Sequence, residues 1–339
     1  MQDRNNLISF LQVYGILLVV AGHSDYGAPA EPLWRVWIYS FHMPLFMFIS
    51  GFLLRYGVER KQVALADTPL YGGKGFIWKK VKRLLIPYVV ISTLAFFPKA
   101  LLSQFAARPL EISFSSYVRM LVYPWDNVII FFWFLPTLFI IFLLVMAGAR
   151  LLKNLDKPAW HGMLLVALAL LHIFNPLEGI MLLNLQGVMA YLFYFCLGYY
   201  CCRYQVAKLL EGRIGIPGIF LSGLLSILFV TVVPSFIGKD ILMALNGIAL
   251  SILLGNLYVA RQWHFLHHLF GASYAIYLFS WFPQVASQQV FLGITHAPWQ
   301  VGSLLALVTG VYIPWLIYKW IVRHKKGRVG RWVALLTGQ

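Results

Sequence analysis

The chain has 339 residues, of which 60% are hydrophobic and only 11% carry a charge, and its mean hydropathy is +0.76. These values exclude an ordinary soluble globular protein, because apolar runs of membrane-spanning length recur along the sequence. The formal net charge of +16 does not indicate a nucleic-acid-binding protein, since no soluble stretch is long enough to form a domain with a basic face. A membrane protein with Lys and Arg on one side of the bilayer explains the charge better.

Hydropathy predicts an all-α fold, a polytopic bundle of about ten transmembrane helices that forms a single domain over residues 1–339. The predicted spans lie near residues 5–23, 34–54, 84–105, 128–148, 159–174, 186–202, 214–234, 240–259, 268–291 and 301–322. Lys and Arg are concentrated in alternate connections, most densely in the basic loop at residues 55–83. This alternation predicts that both termini and every even-numbered connection are cytoplasmic.

The first predicted span could also be read as a signal peptide. Ala28 and Ala30 form an acceptable cleavage site behind it. A single arginine balanced by an acidic residue precedes the apolar stretch, however, and that stretch is long. Both features favour an uncleaved helix.

The second predicted span contains residues that are unusual in lipid, namely His42, Pro44, Ser50 and Gly51. Helical rise places His23 ~27 Å along the first span and His42 ~12 Å below the outer surface. Both imidazoles can therefore occupy the outer half of one helix pair. An imidazole titrates near neutrality and can take a proton from a hydroxyl. The alternative is that each histidine makes a structural hydrogen bond between helices.

The third span opens with a basic cluster, KKVKRLLIPY, which contains Lys79, Lys80, Lys82 and Arg83. Such a cluster anchors a helix to anionic lipid, and it also suits the phosphates of a donor such as coenzyme A. The fourth span carries Trp133 in its outer half, which fits an interfacial aromatic belt or the wall of a sugar site. Both pairs of interpretations stay open at this point.

The remaining polar residues weaken the interpretation as a proton-coupled transporter. The ninth span carries hydroxyl side chains, among them Tyr277, which helix–helix hydrogen bonds would explain. The acidic residues fall in or near connections, so the sequence shows no intramembrane carboxylate of the kind that proton-coupled transport usually needs. The three cysteines lie between residues 196 and 202 without the spacing of a zinc site or a disulfide framework. No metal site is predicted.

Five motifs occur in the same order as in the acyltransferase-3 family of integral-membrane acyltransferases. They are GILLVVAGHS ending at Ser24, YSFHMPLFMFISGFLL from Tyr39 to Leu54, KRLLIPY from Lys82 to Tyr88, WFLPTL from Trp133 to Leu138 and GASYAIYL from Gly271 to Leu278. The chain resembles this family over most of its length. Within the family it is most similar to the group of fucose 4-O-acetylases.

The resemblance implies a ten-helix domain that moves an acyl group, usually acetyl, from cytoplasmic acyl-CoA to a hydroxyl of an envelope glycan. By position, His23 matches the essential first-helix histidine, His42 the second-helix histidine and Arg83 the third-helix arginine. Acyl-CoA, a glycan or lipid-linked sugar acceptor and the bilayer are the expected partners, with polysaccharide-biosynthesis proteins as further candidates. No permanently bound cofactor and no nucleic acid are expected, and the expected location is the bacterial inner membrane.

The resulting hypothesis gives each candidate residue a role. His23 would act as general base on the acceptor hydroxyl or in a short-lived acyl relay, and His42 would position His23 or stabilise the carbonyl oxygen in the transition state. Arg83, helped by the neighbouring lysines, would hold the phosphates of the donor. The residues expected at the acceptor or in supporting positions are Gln12, Ser24, Ser50, Trp133 and Tyr277.

Three positions depart from the family pattern. Gln12 stands where many members have Arg or Lys, Ser9 where an Asp is often found, and Ser280 where a His often follows the YL of the ninth helix. Two alternatives therefore stay open, a glycan or lipid-linked sugar exporter without acyl transfer and a structural subunit of a polysaccharide synthase.

Overall fold

The computed structural model describes residues 2–24, 28, 30–73, 75–101, 113–155, 157–206, 215–295 and 298–338, and every regular element among them is helical. The α-helices are α1 (Gln2–Gly22), α2 (Leu33–Lys61), α3 (Phe76–Lys80), α4 (Ile86–Leu101), α5 (Phe114–Val122), α6 (Phe134–Leu151), α7 (Pro158–Ile173), α8 (Leu185–Arg203), α9 (Gly215–Thr231), α10 (Lys239–Ala260), α11 (Ser273–Phe279), α12 (Trp281–Thr295), α13 (Trp299–His324) and α14 (Arg328–Leu336). Helices suit this composition, because a segment in lipid must satisfy its own backbone hydrogen bonds. The predicted all-α fold is confirmed for these residues.

Within the described part of the chain, six helical segments are long and apolar enough to cross a membrane. They are Leu33–Lys61, Phe76–Ala100, Ile130–Leu151, Leu182–Arg203, Lys239–Ala260 and Trp299–His324. Three shorter apolar helices, Asn6–Gly22, Pro158–Ile173 and Gly215–Thr231, coincide with the predicted first, fifth and seventh spans. Their number indicates a multi-pass membrane protein, whereas the count of about ten and the orientation stay predictions.

The ninth predicted span contains an interruption of its helical hydrogen bonding, although the backbone of Ser280 there stays in the right-handed helical region (φ −60°, ψ −33°). α11 ends at Phe279 and α12 begins at Trp281, with a turn at Ser280 between them. Pro283 explains the break, because it lacks an N–H and its ring clashes with the carbonyl four residues earlier. Hydropathy averages over such an interruption and does not detect it.

The third predicted span begins at Phe76 rather than near residue 84. Between α3 and α4 it contains a π-helical segment, Val81–Leu85, which carries Lys82 and Arg83. π-helical turns are rare in proteins, and those that occur often belong to functional sites. The basic cluster therefore lies on an irregular part of its helix.

The chain divides into two compact units, the first formed by Met1–Gly57 and Tyr194–Lys319 and the second by Val58–Phe193 and Trp320–Gln339. In the first unit, α1 packs against α10 and α11, and α9 packs against α10. In the second unit, α6 contacts the π-helical segment, and α14 packs against α4.

Two glycines let α2 and α8 cross closely inside the first unit. A Cβ on Gly51 would overlap the carbonyl oxygen of Phe195, and a Cβ on Gly198 would overlap the carbonyl oxygen of Phe48. Small residues permit this backbone-to-backbone contact between membrane helices. The crossing fixes the position of α2, the helix that carries His42.

Candidate active site

His23 follows the last residue of α1, and its imidazole contacts Tyr39 of α2. The Tyr39 hydroxyl is 3.2 Å from Nδ1 of His23 and 3.3 Å from the carbonyl oxygen of Gly22. The two rings meet edge to face with centroids 5.8 Å apart. Gly22 leaves room for this contact, because a Cβ there would lie 2.9 Å from the Tyr39 ring.

Each of these two hydrogen bonds needs a proton, and one arrangement supplies both. A carbonyl oxygen can only accept, so the Tyr39 hydroxyl donates to Gly22 and its oxygen accepts from Nδ1–H of His23. A neutral imidazole has a single N–H, and Nε2 then presents a lone pair. If Tyr39 donated to His23 instead, the contact with Gly22 would contain no proton. The geometry favours the tautomer whose Nε2 can accept a proton.

His42 is buried on α2, three residues after Tyr39. Its Nδ1 lies 2.8 Å from the carbonyl oxygen of Ile38, and since a carbonyl only accepts, Nδ1 carries the proton. The Tyr39 ring packs edge-on against the His42 ring, with centroids 4.9 Å apart. One tyrosine therefore contacts both predicted histidines.

The ring of Tyr39 is itself covered by a cation. The guanidinium carbon of Arg35 lies 5.0 Å from the ring centroid, and the Glu31 carboxylate lies 3.7 Å from the Arg35 side chain. Such a cation–π contact contributes about 0.5–1 kcal/mol at an exposed site. Tyr39 was not among the predicted site residues, and its spacing of three from His42 is the sequence signal that could have identified it.

Ser24 ties the end of α1 to α12. Gln284 Nε2 donates to Ser24 Oγ and to the carbonyl oxygen of Val20, both at 2.9 Å. Ser24 Oγ in turn donates to the same carbonyl at 2.6 Å. Ser280, one helical turn before Gln284, is 1% exposed, and its Oγ has no hydrogen-bond partner among the described residues. Ser24 therefore holds the chain immediately next to His23.

The other predicted residues of the first unit lie further along their helices. Gln12 is on the same face of α1 as His23, about 16 Å away along the helix axis. Ser50 is half-buried, two turns beyond the histidine of α2. Tyr277 of α11 is 7% exposed and stacks on Tyr274 with ring centroids 6.4 Å apart.

The cations of the predicted donor site belong to the second unit, and two of them are exposed. Arg83 lies in the π-helical segment, where its Nη1 donates to the carbonyl oxygen of Gly338 at 3.1 Å. Lys79 is exposed at the end of α3. These two cations are the ones most accessible to an anionic ligand.

The other two lysines of the cluster lie over aromatic rings. Lys80 Nζ is 3.3 Å from the centre of the Phe142 ring and 5.3 Å from that of Phe76. Lys82 Nζ is 5.2 Å from the centre of the Trp78 ring. These cation–π contacts stabilise the packing of the third span and direct both ammonium groups toward the protein.

Trp133 lies inside the second unit and is only 6% exposed. Its ring stacks on Trp125 at 5.2 Å and 17°, and on Tyr191 at 5.3 Å and 20°. The indole of Trp125 is 40% exposed. Trp125, which the sequence did not single out, is therefore the tryptophan of this stack that is exposed at the protein surface.

An apolar cavity of about 350 Å³ lies beside the first turns of α2 in the first unit. Its walls come from α2, α9 and α10 and include Trp34, Trp37, Ile227 and Leu250. Because most of these side chains are apolar, the cavity suits a hydrocarbon chain.

The thiols and the metal-ligating side chains form no further centre in the described part of the chain. Cys196, Cys201 and Cys202 form no disulfide with one another, and the first and third are buried. No group of three or more His, Cys, Asp or Glu side chains among the described residues is arranged to hold a metal ion.

Comparison with known proteins places the chain in a family. The acyltransferase-3 family model, which describes an acyltransferase domain, matches residues 5–319. No curated protein and no solved structure shows significant similarity to the chain. The match confirms the family that the five motifs predict, whereas the fucose 4-O-acetylase group within it stays a prediction. With its several membrane-length helices, the chain belongs to the acyltransferase-3 family and is a multi-pass membrane acyltransferase.

Proposed function

We propose that this protein transfers an acyl group, in the first instance acetyl, from acyl-CoA to a sugar hydroxyl. The acceptor is a cell-envelope glycan or its lipid-linked precursor, and the site of action is the bacterial inner membrane. The observation that carries this proposal is the pair of hydrogen bonds that Tyr39 makes with His23 and Gly22. They favour a base at Nε2, which is what a hydroxyl nucleophile requires.

In the proposed reaction, Nε2 of His23 takes the proton of the acceptor hydroxyl as that oxygen attacks the thioester carbonyl. The new C–O bond forms while negative charge develops on the carbonyl oxygen. The C–S bond then breaks, and the proton passes from His23 to the sulfur, which leaves the ester and free CoA thiol. A short-lived acyl relay would use the same Nε2 as the nucleophile.

His42 serves this reaction as a positioning residue. Its Nδ1–H donates to Ile38, so a neutral His42 has no proton on Nε2 to offer to an oxyanion. Its ring packs instead against Tyr39, the side chain that orients His23. Stabilisation of the carbonyl oxygen by His42 would require the imidazolium form.

Arg83 and Lys79 are the proposed contacts of the donor phosphates. Both are exposed in the second unit, and a guanidinium can bind a phosphate through two parallel hydrogen bonds. Lys80, directly before the π-helical segment, and Lys82 within it support the site through their contacts with aromatic rings. In the predicted topology these groups are cytoplasmic, on the side that supplies acyl-CoA.

The apolar cavity beside α2 supports a lipid-linked form of the acceptor. A hydrocarbon chain bound there would contact Trp34, Trp37 and their neighbours, and apolar surface of the chain and of the cavity would be buried. The cavity lies along the helix that carries His42 and Tyr39.

Dependence on acyl-CoA distinguishes this function from glycan export. Membranes that contain the protein are incubated with radiolabelled acetyl-CoA and longer acyl-CoAs, and the glycan fraction is counted. Label in the glycan is the expected result. Export of glycan without acyl-CoA, and no incorporated label with any donor, would overturn the proposal in favour of an exporter.

A further inference from the structure

The exposed indole of Trp125 is held in place from inside the protein. It lies in the 3₁₀ turn Pro124–Asp126, and its Nε1–H donates to Oδ1 of Asn184 at 2.8 Å. Asn184 Nδ2 donates to Oγ1 of Thr137 at 2.8 Å, and Thr137 Oγ1 donates to the carbonyl oxygen of Trp133 at 2.7 Å. Asn184 and Thr137 are fully buried. The orientation of one exposed ring thus depends on a continuous chain of buried hydrogen bonds.

The backbone at Leu183 and Asn184 is left-handed. Their φ values are 47° and 56°, in a region that asparagine tolerates but that a bulky residue such as leucine rarely adopts. Gly187 leaves the necessary space, because a Cβ there would overlap the amide group of Asn184. A tryptophan of an ordinary interfacial belt needs no such support, since its N–H can bond to water or headgroups. The structure accordingly indicates a pre-organised surface rather than an anchor.

A pair of opposite charges joins the turn that carries Trp125 to α5. Arg119 Nε donates to Oδ2 of Asp126 at 2.7 Å, and both side chains are largely exposed. The hydrogen bond and the charge of Asp126 raise the pKa of the Arg119 guanidinium above its ordinary value. The pair has no net charge, so it attracts a phosphate weakly, but its planar groups can exchange hydrogen bonds with neutral hydroxyls.

We propose that the face of Trp125, together with Asp126 and Arg119, is a binding site for a neutral pyranose ring. A pyranose has a face of C–H groups, which the electron-rich face of an indole attracts, and a rim of hydroxyls. The rim would meet the carboxylate and the guanidinium. The inference rests on the proposed function in one respect, namely that this sugar is taken to be part of the acyl acceptor.

Fluorine NMR of the full chain in nanodiscs, labelled with 5-fluorotryptophan, tests the site without any acyl donor. The resonance that disappears in Trp125→Phe identifies Trp125 among the 12 tryptophans, and Trp125→Tyr provides a second assignment if the first variant does not fold. Trp160 of α7 is the matched control, because it is 43% exposed in the same unit. The probes are the methyl glycosides of glucose, galactose, N-acetylglucosamine and fucose.

At least one glycoside should shift the Trp125 resonance in a saturable way and leave the Trp160 resonance unchanged. Asp126→Asn, which keeps the shape of the side chain, should weaken that binding about tenfold. No shift with any glycoside, or equal shifts at both tryptophans, would overturn the inference. So would a Trp125 resonance that responds to a change of lipid headgroup and to no glycoside.

The outcome is separable from the proposed function. Glycoside binding at Trp125 without any acyl transfer would support this binding site and contradict the proposed acyltransferase function. Acyl transfer by a protein whose Trp125 resonance responds to no glycoside would support the proposed function and contradict this binding site.

Discussion

The hydroxyl of Tyr39 lies 3.2 Å from Nδ1 of His23, although the two residues belong to different helical segments of the first unit. Replacing Tyr39 with Phe removes this hydrogen bond and keeps the ring between His42 and Arg35. Loss of one hydrogen bond that orients the base should lower kcat for acyl transfer about tenfold. The KM values for acyl-CoA and for the acceptor should stay unchanged.

Tyr312→Phe is the matched control for this change. Tyr312 is also in the first unit, where its ring stacks on His268 with centroids 6.1 Å apart. Removing the hydroxyl of Tyr312 should not affect kcat. Wild-type kcat in Tyr39→Phe, or an equal decrease in both variants, would contradict the positioning role of Tyr39.

Hydropathy and charge were enough to predict the helical fold, because apolar residues in lipid leave the backbone few alternatives. The ends of α8 and α10 were predicted to within one residue, whereas α2 continues seven residues beyond its predicted end at residue 54. The break at Ser280 was missed, although Pro283 was visible in the sequence. Window averages do not register one missing N–H.

The residues of the site were harder to predict from the sequence than the fold. Helical rise alone was enough to predict that His23 and His42 both lie in the outer half of one helix pair. Their common contact with Tyr39 depends on which faces of two helices pack together, and that is decided by tertiary contacts such as Gly22 against the tyrosine ring. The contact between Lys80 and the Phe142 ring could not be predicted for the same reason.

The crossing of α2 and α8 predicts a strong sensitivity to one added methyl group. In Gly51→Ala the new Cβ would overlap the carbonyl oxygen of Phe195, and backbone cannot move aside as a flexible side chain can. Overpacking of this kind costs about 1–3 kcal/mol. Thermal unfolding in detergent can be monitored through the loss of the monodisperse peak. It should occur at a clearly lower temperature in Gly51→Ala than in the wild type.

Gly57→Ala on the same helix is the control, because a Cβ at this position would have no other atom within 4 Å. It should unfold at or slightly above the wild-type temperature, since alanine favours helix more than glycine does. Equal unfolding temperatures for the two variants would show that α2 and α8 do not cross as described.

The basic cluster predicts different effects for two of its cations. Arg83→Gln removes an exposed guanidinium, and if that group binds donor phosphate the KM for acyl-CoA should rise about tenfold to a hundredfold. Lys80→Met keeps most of the contact with Phe142 and should leave this KM within about threefold of the wild-type value. Steady-state kinetics with varied acyl-CoA gives both numbers.

Lys157→Gln controls for the general effect of removing a positive charge from the second unit, because Lys157 is exposed in a different connection. It should not change the KM for acyl-CoA. A larger rise in Lys80→Met than in Arg83→Gln would show that the donor phosphates bind Lys80 rather than Arg83.

Acetyl transfer by His23→Ala is the measurement that tests the central claim most directly. Membranes with equal amounts of wild-type, His23→Ala or His264→Ala protein receive radiolabelled acetyl-CoA, and label in the glycan is followed over time. His264 is an exposed histidine of the same unit outside the site. If His23 is the base, its variant should transfer label at the background rate while His264→Ala matches the wild type; transfer at the wild-type rate by His23→Ala would contradict the account.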